Sequence, residues 1–343
     1  MRTKMTEMCE VKYPIMNAGM AYVAIPELVA AVSNAGGLGV LATSSLNPDS
    51  TRASIKKIRE LTDKPFGANV TLQFQFSAEN AKVLLEEKVP VINWSLGTAA
   101  WIIKAAHEYG GKVFGTVTVV RHALRAEKDG ADGVIVTGHE AAAHGGDVTS
   151  MVLIPAMANK LKIPIIAAGG FADGRGLAAA FALGAEGISI GTAFALSKES
   201  PIHQRTKEFL YKASELDTFY TDKMDGLGNR NLKSQGALSL IKGIPSPIET
   251  LHSVMKVKSE LRLSWLQLIG MGLKGNMANQ LGLARAAARV ELGLKDGDAE
   301  KGIIPIGQVI GLIEKEFTCQ ELISKIVAGA QEVLTARVKV FTS

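Results

Sequence analysis

The sequence predicts an α/β fold of the TIM (β/α)₈ barrel type with a C-terminal helical cap. Three observations point there: eight short apolar runs in the first two-thirds of the chain, a helical pattern after each, and a change of rhythm after Tyr211. The runs are Pro14–Met16, Leu38–Ala42, Phe66–Val70, Val89–Trp94, Lys112–Val117, Gly133–Thr137, Pro164–Ala168 and Gly187–Gly191. They alternate little between apolar and polar, as strands buried on both faces of a parallel sheet do. Amphipathic stretches at Ile25–Asn34, Ser50–Leu61, Ala78–Glu87, Ala99–Tyr109 and Met151–Leu161 supply the intervening helices. Eight such units in about 200 residues match a barrel. A doubly wound sheet rarely needs so many regular units.

Residues 1–215 are therefore expected to form the barrel, 216–304 a helical cap without strands, and 305–343 a segment returning to the barrel. The cap has helical periodicity at Ile248–Leu261 and Asn279–Leu292. The last helix, expected over Thr318–Val338, has apolar spacing suited to a buried face.

Composition narrows the class. The formal net charge is +5, but Lys and Arg are interspersed with Asp and Glu, as in Lys56-Lys57-Ile58-Arg59-Glu60. That pattern is a solvated surface and demands no nucleic acid. Cys9 and Cys319 lie far apart without metal-ligand spacing, which fits reduced thiols. Met1 to Tyr13 lacks the apolar run of a signal peptide, and no apolar stretch is long enough for a bilayer. A cytoplasmic location is expected, with no membrane partner.

The strongest local signal is a pair of buried strands that both end in glycine. Ile165–Ala168 runs into Gly169-Gly170, and Gly187–Ile190 runs into Gly191-Thr192. In barrels, the loops after strands seven and eight often bind phosphate. Glycine lets backbone N–H groups approach the anion, and the Thr192 hydroxyl adds a donor. Asp173 then stands as N-cap of the next helix.

A second signal is Gly138-His139-Glu140-Ala141-Ala142-Ala143-His144-Gly145-Gly146, directly after strand six. Gly138, Ala142, Ala143 and Gly146 are small enough for a flat ring to approach the backbone. His144 is the candidate for proton exchange, while His139 reads as a loop-bracing histidine. No third ligand of suitable spacing follows, so no metal site is expected. At the end of strand one, Asn17, Ala18, Gly19 and Met20 offer another close-approach segment. Asn69, at the end of strand three, either bonds a ring edge or braces a loop.

With Ala35-Gly36-Gly37-Leu38-Gly39, Leu61–Gly67, Ala167–Gly176 and Gly191-Thr192, these segments resemble the nitronate monooxygenase (2-nitropropane dioxygenase) superfamily of FMN barrels. That superfamily includes NAD(P)H:quinone reductases and flavin-dependent enoyl-acyl-carrier-protein reductases. The resemblance implies FMN phosphate at Gly169, Gly170, Gly191 and Thr192, and flavin-ring contacts near Ala18, Gly19, Met20 and Asn69. It also implies that His144 is the catalytic or substrate-orienting histidine, and that Gln308 lies on a return segment near the flavin. Three positions depart from the pattern. Ala193 stands where relatives often carry Arg, Thr116 where quinone reductases place Lys near the flavin, and Ala142-Ala143 where Gly is usual at the second position.

The resemblance implies oxidation of alkyl nitronates or nitroalkanes by O₂ to a carbonyl compound and nitrite. The alternative is an NAD(P)H-dependent reductase of quinones or enoyl thioesters, favoured by the likeness of Val120–Leu124 and Ala172–Gly176 to the quinone-reductase branch. A phosphosugar enzyme using the same phosphate loops is the non-flavin reading. The partners expected are small molecules, and the protein is expected to be a monomer or homodimer.

Overall fold

Every one of the eight apolar runs forms a strand. They are β1 (Ile15–Asn17), β2 (Gly39–Ala42), β3 (Phe66–Thr71), β4 (Val91–Ser95), β5 (Lys112–Val117), β6 (Gly133–Thr137), β7 (Ile165–Ala168) and β8 (Gly187–Ile190). The computed structural model describes residues 1–142, 144–223, 227–242, 255 and 277–342. All eight strands are parallel, and β8 returns to pair with β1. A parallel bridge between Met16 and Leu38 closes the seam between β1 and β2, with the Leu38 N–H donating to the Ile15 carbonyl at 2.9 Å. The result is a TIM barrel.

The helices between strands are α2 (Pro26–Asn34), α3 (Pro48–Leu61), α4 (Ser77–Glu86), α5 (Ala100–His107), α6 (Val120–Lys128), α7 (Ser150–Ala158) and α8 (Gly174–Ala182). Their apolar faces pack on the barrel, as Leu28, Ile55, Ile58, Ile102 and Leu177, all fully buried, illustrate. The N-terminal end of the barrel is covered by a short helix that its charged sequence hides, α1 (Lys4–Cys9). A capping box at Thr3 starts it, and its Met5 and Cys9 join Met16, Leu38, Phe114 and Ile166 in the barrel interior.

Beyond α9 (Thr192–Ala195) and α10 (Gln204–Leu210) the chain departs from the expected all-helical cap. Two strands, β9 (Thr218–Thr221) and β10 (Asn229–Leu232), form an antiparallel ribbon. Four-residue strands give too short a pattern to be read from sequence, and Asn229-Arg230-Asn231 is polar although the ribbon buries it. Helices α11 (Gln235–Lys242) and α12 (Met277–Leu294) follow, the second covering the periodic stretch Asn279–Leu292. The other, Ile248–Leu261, lies outside the described residues apart from Met255.

The last helix, α13 (Cys319–Thr342), packs against the start of α8 and the segment before β2. Its Gly329 and Ala330 lie against Gly174 at the start of α8, and Ile323 reaches Gly37. Among the described residues, no helix is long and apolar enough to cross a membrane.

Candidate active site

The site is assembled at the C-terminal ends of the strands, where barrel loops converge. Gly169 and Gly170 follow β7 with φ of +91° and +86°. Two successive residues in this left-handed region require glycine, since a Cβ costs roughly 1–2 kcal/mol at each. A Cβ on Gly169 would also stand 3.1 Å from the Gly138 carbonyl oxygen. The amides of Gly169, Gly170, Gly191 and Thr192 have no hydrogen-bond acceptor among the described residues. Thr192, buried, accepts at Oγ1 from the Gly307 N–H (3.1 Å), which leaves its own hydroxyl hydrogen to donate. A cluster of unmet donors beside a helix start is the chemistry a phosphate requires. At Gly191 the nearest atoms to a Cβ position are Met20 Sδ at 3.7 Å and Ala18 Cβ at 3.8 Å, so the segment after β1 faces this cradle.

Polar side chains continue around the rim. Asn69, buried in the second half of β3, donates from Nδ2 to Asn93 Oδ1 at 2.7 Å, and Asn93 Nδ2 donates to Thr116 Oγ1 at 3.0 Å. This ladder crosses β3, β4 and β5, Asn69 lying opposite Asn93 and Thr116 two residues beyond Phe114, the partner of Asn93. Asn69 thus braces the rim, and among the described residues its Oδ1 accepts only a long 3.4 Å bond from Thr71, so acceptor capacity remains. Gly19 lies against Asn69 with no room for a side chain. Asn93 was not singled out from sequence. Its signal is a polar residue inside an apolar strand, one strand over from Asn69.

Asn17 has a different place. Its Nδ2 donates to the carbonyls of Ala18 and Val40 at 2.9 Å, and its Oδ1 accepts from the Val40 N–H at 2.7 Å. The side chain is fully buried and braces the β1–β2 seam, so any ring contact from this segment falls to Ala18, Gly19 and Met20.

The loop after β6 spans the mouth. Glu140 caps α7, accepting from the Ser150 N–H (3.0 and 3.1 Å) and hydroxyl (3.0 Å). Gly138 leaves no room for a Cβ beside Ser150, and one on Gly146 would stand 2.9 Å from Thr118 Cβ. Neither position therefore has room for a side chain. His139 is the bracing residue expected, its Nδ1 donating to the Gly146 carbonyl at 2.8 Å. His144 is half-buried in the same loop. Ala142 lies beside Gly307, whose Cβ position is 3.3 Å from the Ala142 nitrogen, while Ala143 is outside the described residues. Gln308 opens a short 3₁₀ turn, Gln308–Leu312, and its N–H donates to the Glu140 carbonyl at 3.0 Å. The return segment thus reaches the loop after β6 and the start of α9. Among the described residues no group of three His, Cys, Asp or Glu side chains is placed to hold a metal.

The family follows from this arrangement and from direct comparison. The nitronate monooxygenase family model matches residues 2–87 and 74–329, nearly the whole barrel and cap. The chain belongs to the nitronate monooxygenase family. It is an oxidoreductase by that membership. Within the family it is 34% identical over 342 residues to (3aS,4S,5R,7aS)-5-hydroxy-7a-methyl-1-oxo-octahydro-1H-indene-4-carboxyl-CoA dehydrogenase of Rhodococcus jostii, covering 96% of each chain. A probable nitronate monooxygenase of Staphylococcus saprophyticus is 33% identical over 280 residues, 68% of this chain and 79% of the relative. Among solved structures, FabK from Thermotoga maritima superposes with a TM-score of 0.85 at 34% identity, covering 99% of both chains.

Proposed function

We propose that this protein is an FMN-dependent oxidoreductase acting on an acyl thioester, with the phosphate of FMN held by Gly169, Gly170, Gly191 and Thr192. The observation that carries the flavin is the cluster of unmet amide donors at the ends of β7 and β8. Support for the thioester comes from extent. The relative that acts on a coenzyme A thioester and the FabK structure match through the cap as well as the barrel, whereas the probable nitronate monooxygenase aligns to 68% of the chain.

FMN, when bound, supplies the acceptor and donor of two electrons. The chain's own residues bind, orient and move protons. Ala18, Gly19 and Met20 offer a wall without bulky polar groups for the ring, and Asn69 Oδ1 offers an acceptor at the rim. His144 gives or takes a proton at an imidazole nitrogen beside the thioester carbonyl, a role that contributes about 10²–10⁴-fold to turnover. Ala193 and Thr116 bring no cation to the cofactor, so backbone dipoles carry the anion's charge. NADH or NADPH is the second substrate in the reductive direction.

Nitronate oxidation is the second reading, favoured by the staphylococcal relatives. It uses the same cradle and histidine, with His144 placed at the nitro oxygens. Anaerobic stopped-flow mixing separates the two. The thioester reading expects flavin absorbance at about 450 nm to bleach with NADH or NADPH and to return on adding an enoyl-CoA. Stoichiometric nitrite from an alkyl nitronate in air, with no bleaching by either nucleotide, would replace it with nitronate oxidation.

A further inference from the structure

The loop that carries His144 is held from outside the barrel, by one rung of the cap's ribbon. Tyr220 and Arg230 are direct cross-strand partners in β9 and β10. The Tyr220 hydroxyl donates to the Gly145 carbonyl at 2.7 Å, one residue beyond His144. Arg230 donates from Nε and Nη2 to the His139 carbonyl at 3.2 and 3.0 Å, and from Nη1 to Thr218 Oγ1 at 3.1 Å. The two tethers therefore grip the loop on either side of the histidine.

The same rung also meets the loop through a tilted ring contact. The His139 ring lies 4.6 Å from the Tyr220 ring, tilted by 53°, and the Arg230 guanidinium sits 5.8 Å from the Tyr220 ring centre. His139 in turn bonds Gly146, which cross-ties the two arms of the loop. Arg230 is only 4% exposed, and among the described residues its guanidinium is held by the His139 carbonyl and the Thr218 hydroxyl. Burying a guanidinium is unfavourable for folding alone. Burial lowers its pKa, with the Glu140 carboxylate opposing the shift. A group kept at that disadvantage, with a forked grip on a single loop carbonyl, is placed for geometry.

We propose that Tyr220 and Arg230 are positioning residues, and that the ribbon acts as a clamp setting the angle at which His144 meets the substrate. This rests on the proton-transfer role of His144 proposed above. It makes β9 (Thr218–Thr221) and β10 (Asn229–Leu232) a working part of the site. A loop bearing a catalytic group loses rate when its geometry drifts by as little as about 1 Å.

Tyr220→Phe is the clean probe, because it keeps the ring on His139 and removes only the tether to Gly145. In the flavin-loaded enzyme we expect kcat to fall about tenfold with KM changed less than about twofold, and flavin content unaltered. Combined with His144→Ala, the same substitution is expected to lower the residual rate by less than about twofold, since it acts through the histidine. Arg230→Lys, which keeps the charge but loses the fork, is expected to fall between wild type and Tyr220→Phe. Hydrogen exchange gives a readout independent of turnover: amides of residues 139–149 are expected to exchange at least about tenfold faster in Tyr220→Phe, with the barrel strands unchanged.

An equal rate loss with and without His144, or unaltered loop exchange, overturns the clamp. Faster loop exchange in Tyr220→Phe together with full turnover in His144→Ala leaves the tether standing and removes instead the histidine's role.

Discussion

The two ends of the barrel are built from the same eight strands and do opposite things with their polar groups. At the N-terminal end polar groups pair with one another and an apolar cluster seals the interior. Met5 and Cys9, 1% and 3% exposed, plug the strands from below, and Asp132 accepts from the Val113 N–H (2.9 Å) while facing Lys112 and His107 at 3.3 and 2.8 Å. A cleft of about 680 Å³ does lie there, beside Met8, Cys9, Lys64 and Lys112, but it is outside the plug and far from the strand ends that carry glycine. At the C-terminal end, amides of four residues lack acceptors among the described residues, and two glycines hold left-handed backbone. The difference teaches where stability resides and where binding does. A barrel that satisfied both ends alike would have no site.

The comparison breaks most sharply at His144. Replacing it by Ala is expected to lower turnover by about 10²–10⁴-fold while flavin stays bound, measured by steady-state rates and by flavin-to-protein absorbance. Loss of flavin without loss of turnover in reconstituted enzyme would place the histidine with the cofactor instead.

At the other end, Met5→Ala should cost roughly 2–5 kcal/mol of unfolding free energy through the cavity it leaves, with turnover within about twofold of wild type. Denaturant melts and rates on one preparation check both halves. A large fall in rate at unchanged stability would show that the plug communicates with the mouth.

Gly169→Ala probes the cradle itself. The left-handed φ should cost about 1–2 kcal/mol, and the shifted amides should weaken flavin binding by about tenfold or more. Titration with FMN, followed by fluorescence quenching, measures it. Unchanged affinity would mean that these amides do not face the ligand.

The smallest effect is alkaline. Burial pushes the thiols of Cys9 and Cys319 from 9.0 up to about 12, and the hydroxyls of Tyr109 and Tyr211 from 10.0 up to about 12. In the unfolded chain these groups ionise at their ordinary values. Between about pH 9 and pH 12 unfolding therefore releases protons, and stability present below pH 9 is lost as pH rises. Tm should decline steadily across that window, and both thiols should resist a disulfide reagent at pH 8. Rapid labelling of Cys9 in native protein would contradict its burial.

Much of this was legible because it is local. Lys112–Val117 and Gly133–Thr137 appear with the bounds that apolar runs alone predict. The Gly169-Gly170 pair was legible because two adjacent left-handed residues admit almost no other side chain, and Asp173 caps α8 as expected, accepting from the Gly176 N–H at 2.9 Å. What stayed hidden is set by tertiary contact. Arg230 reads as a surface charge in Asn229-Arg230-Asn231 until the ribbon folds it against His139. Helix α1 carries too few residues for periodicity, and Asn17 reads as a ligand contact until the β1–β2 seam is closed around it.

The central claim, that the glycine-ended strands grip the phosphate of a flavin, is tested most directly by titrating flavin-free protein with FMN and with riboflavin, which differ only in that phosphate. The account predicts that riboflavin binds at least about 100-fold more weakly, as expected when several charge-assisted hydrogen bonds are lost. Equal dissociation constants for the two would contradict it.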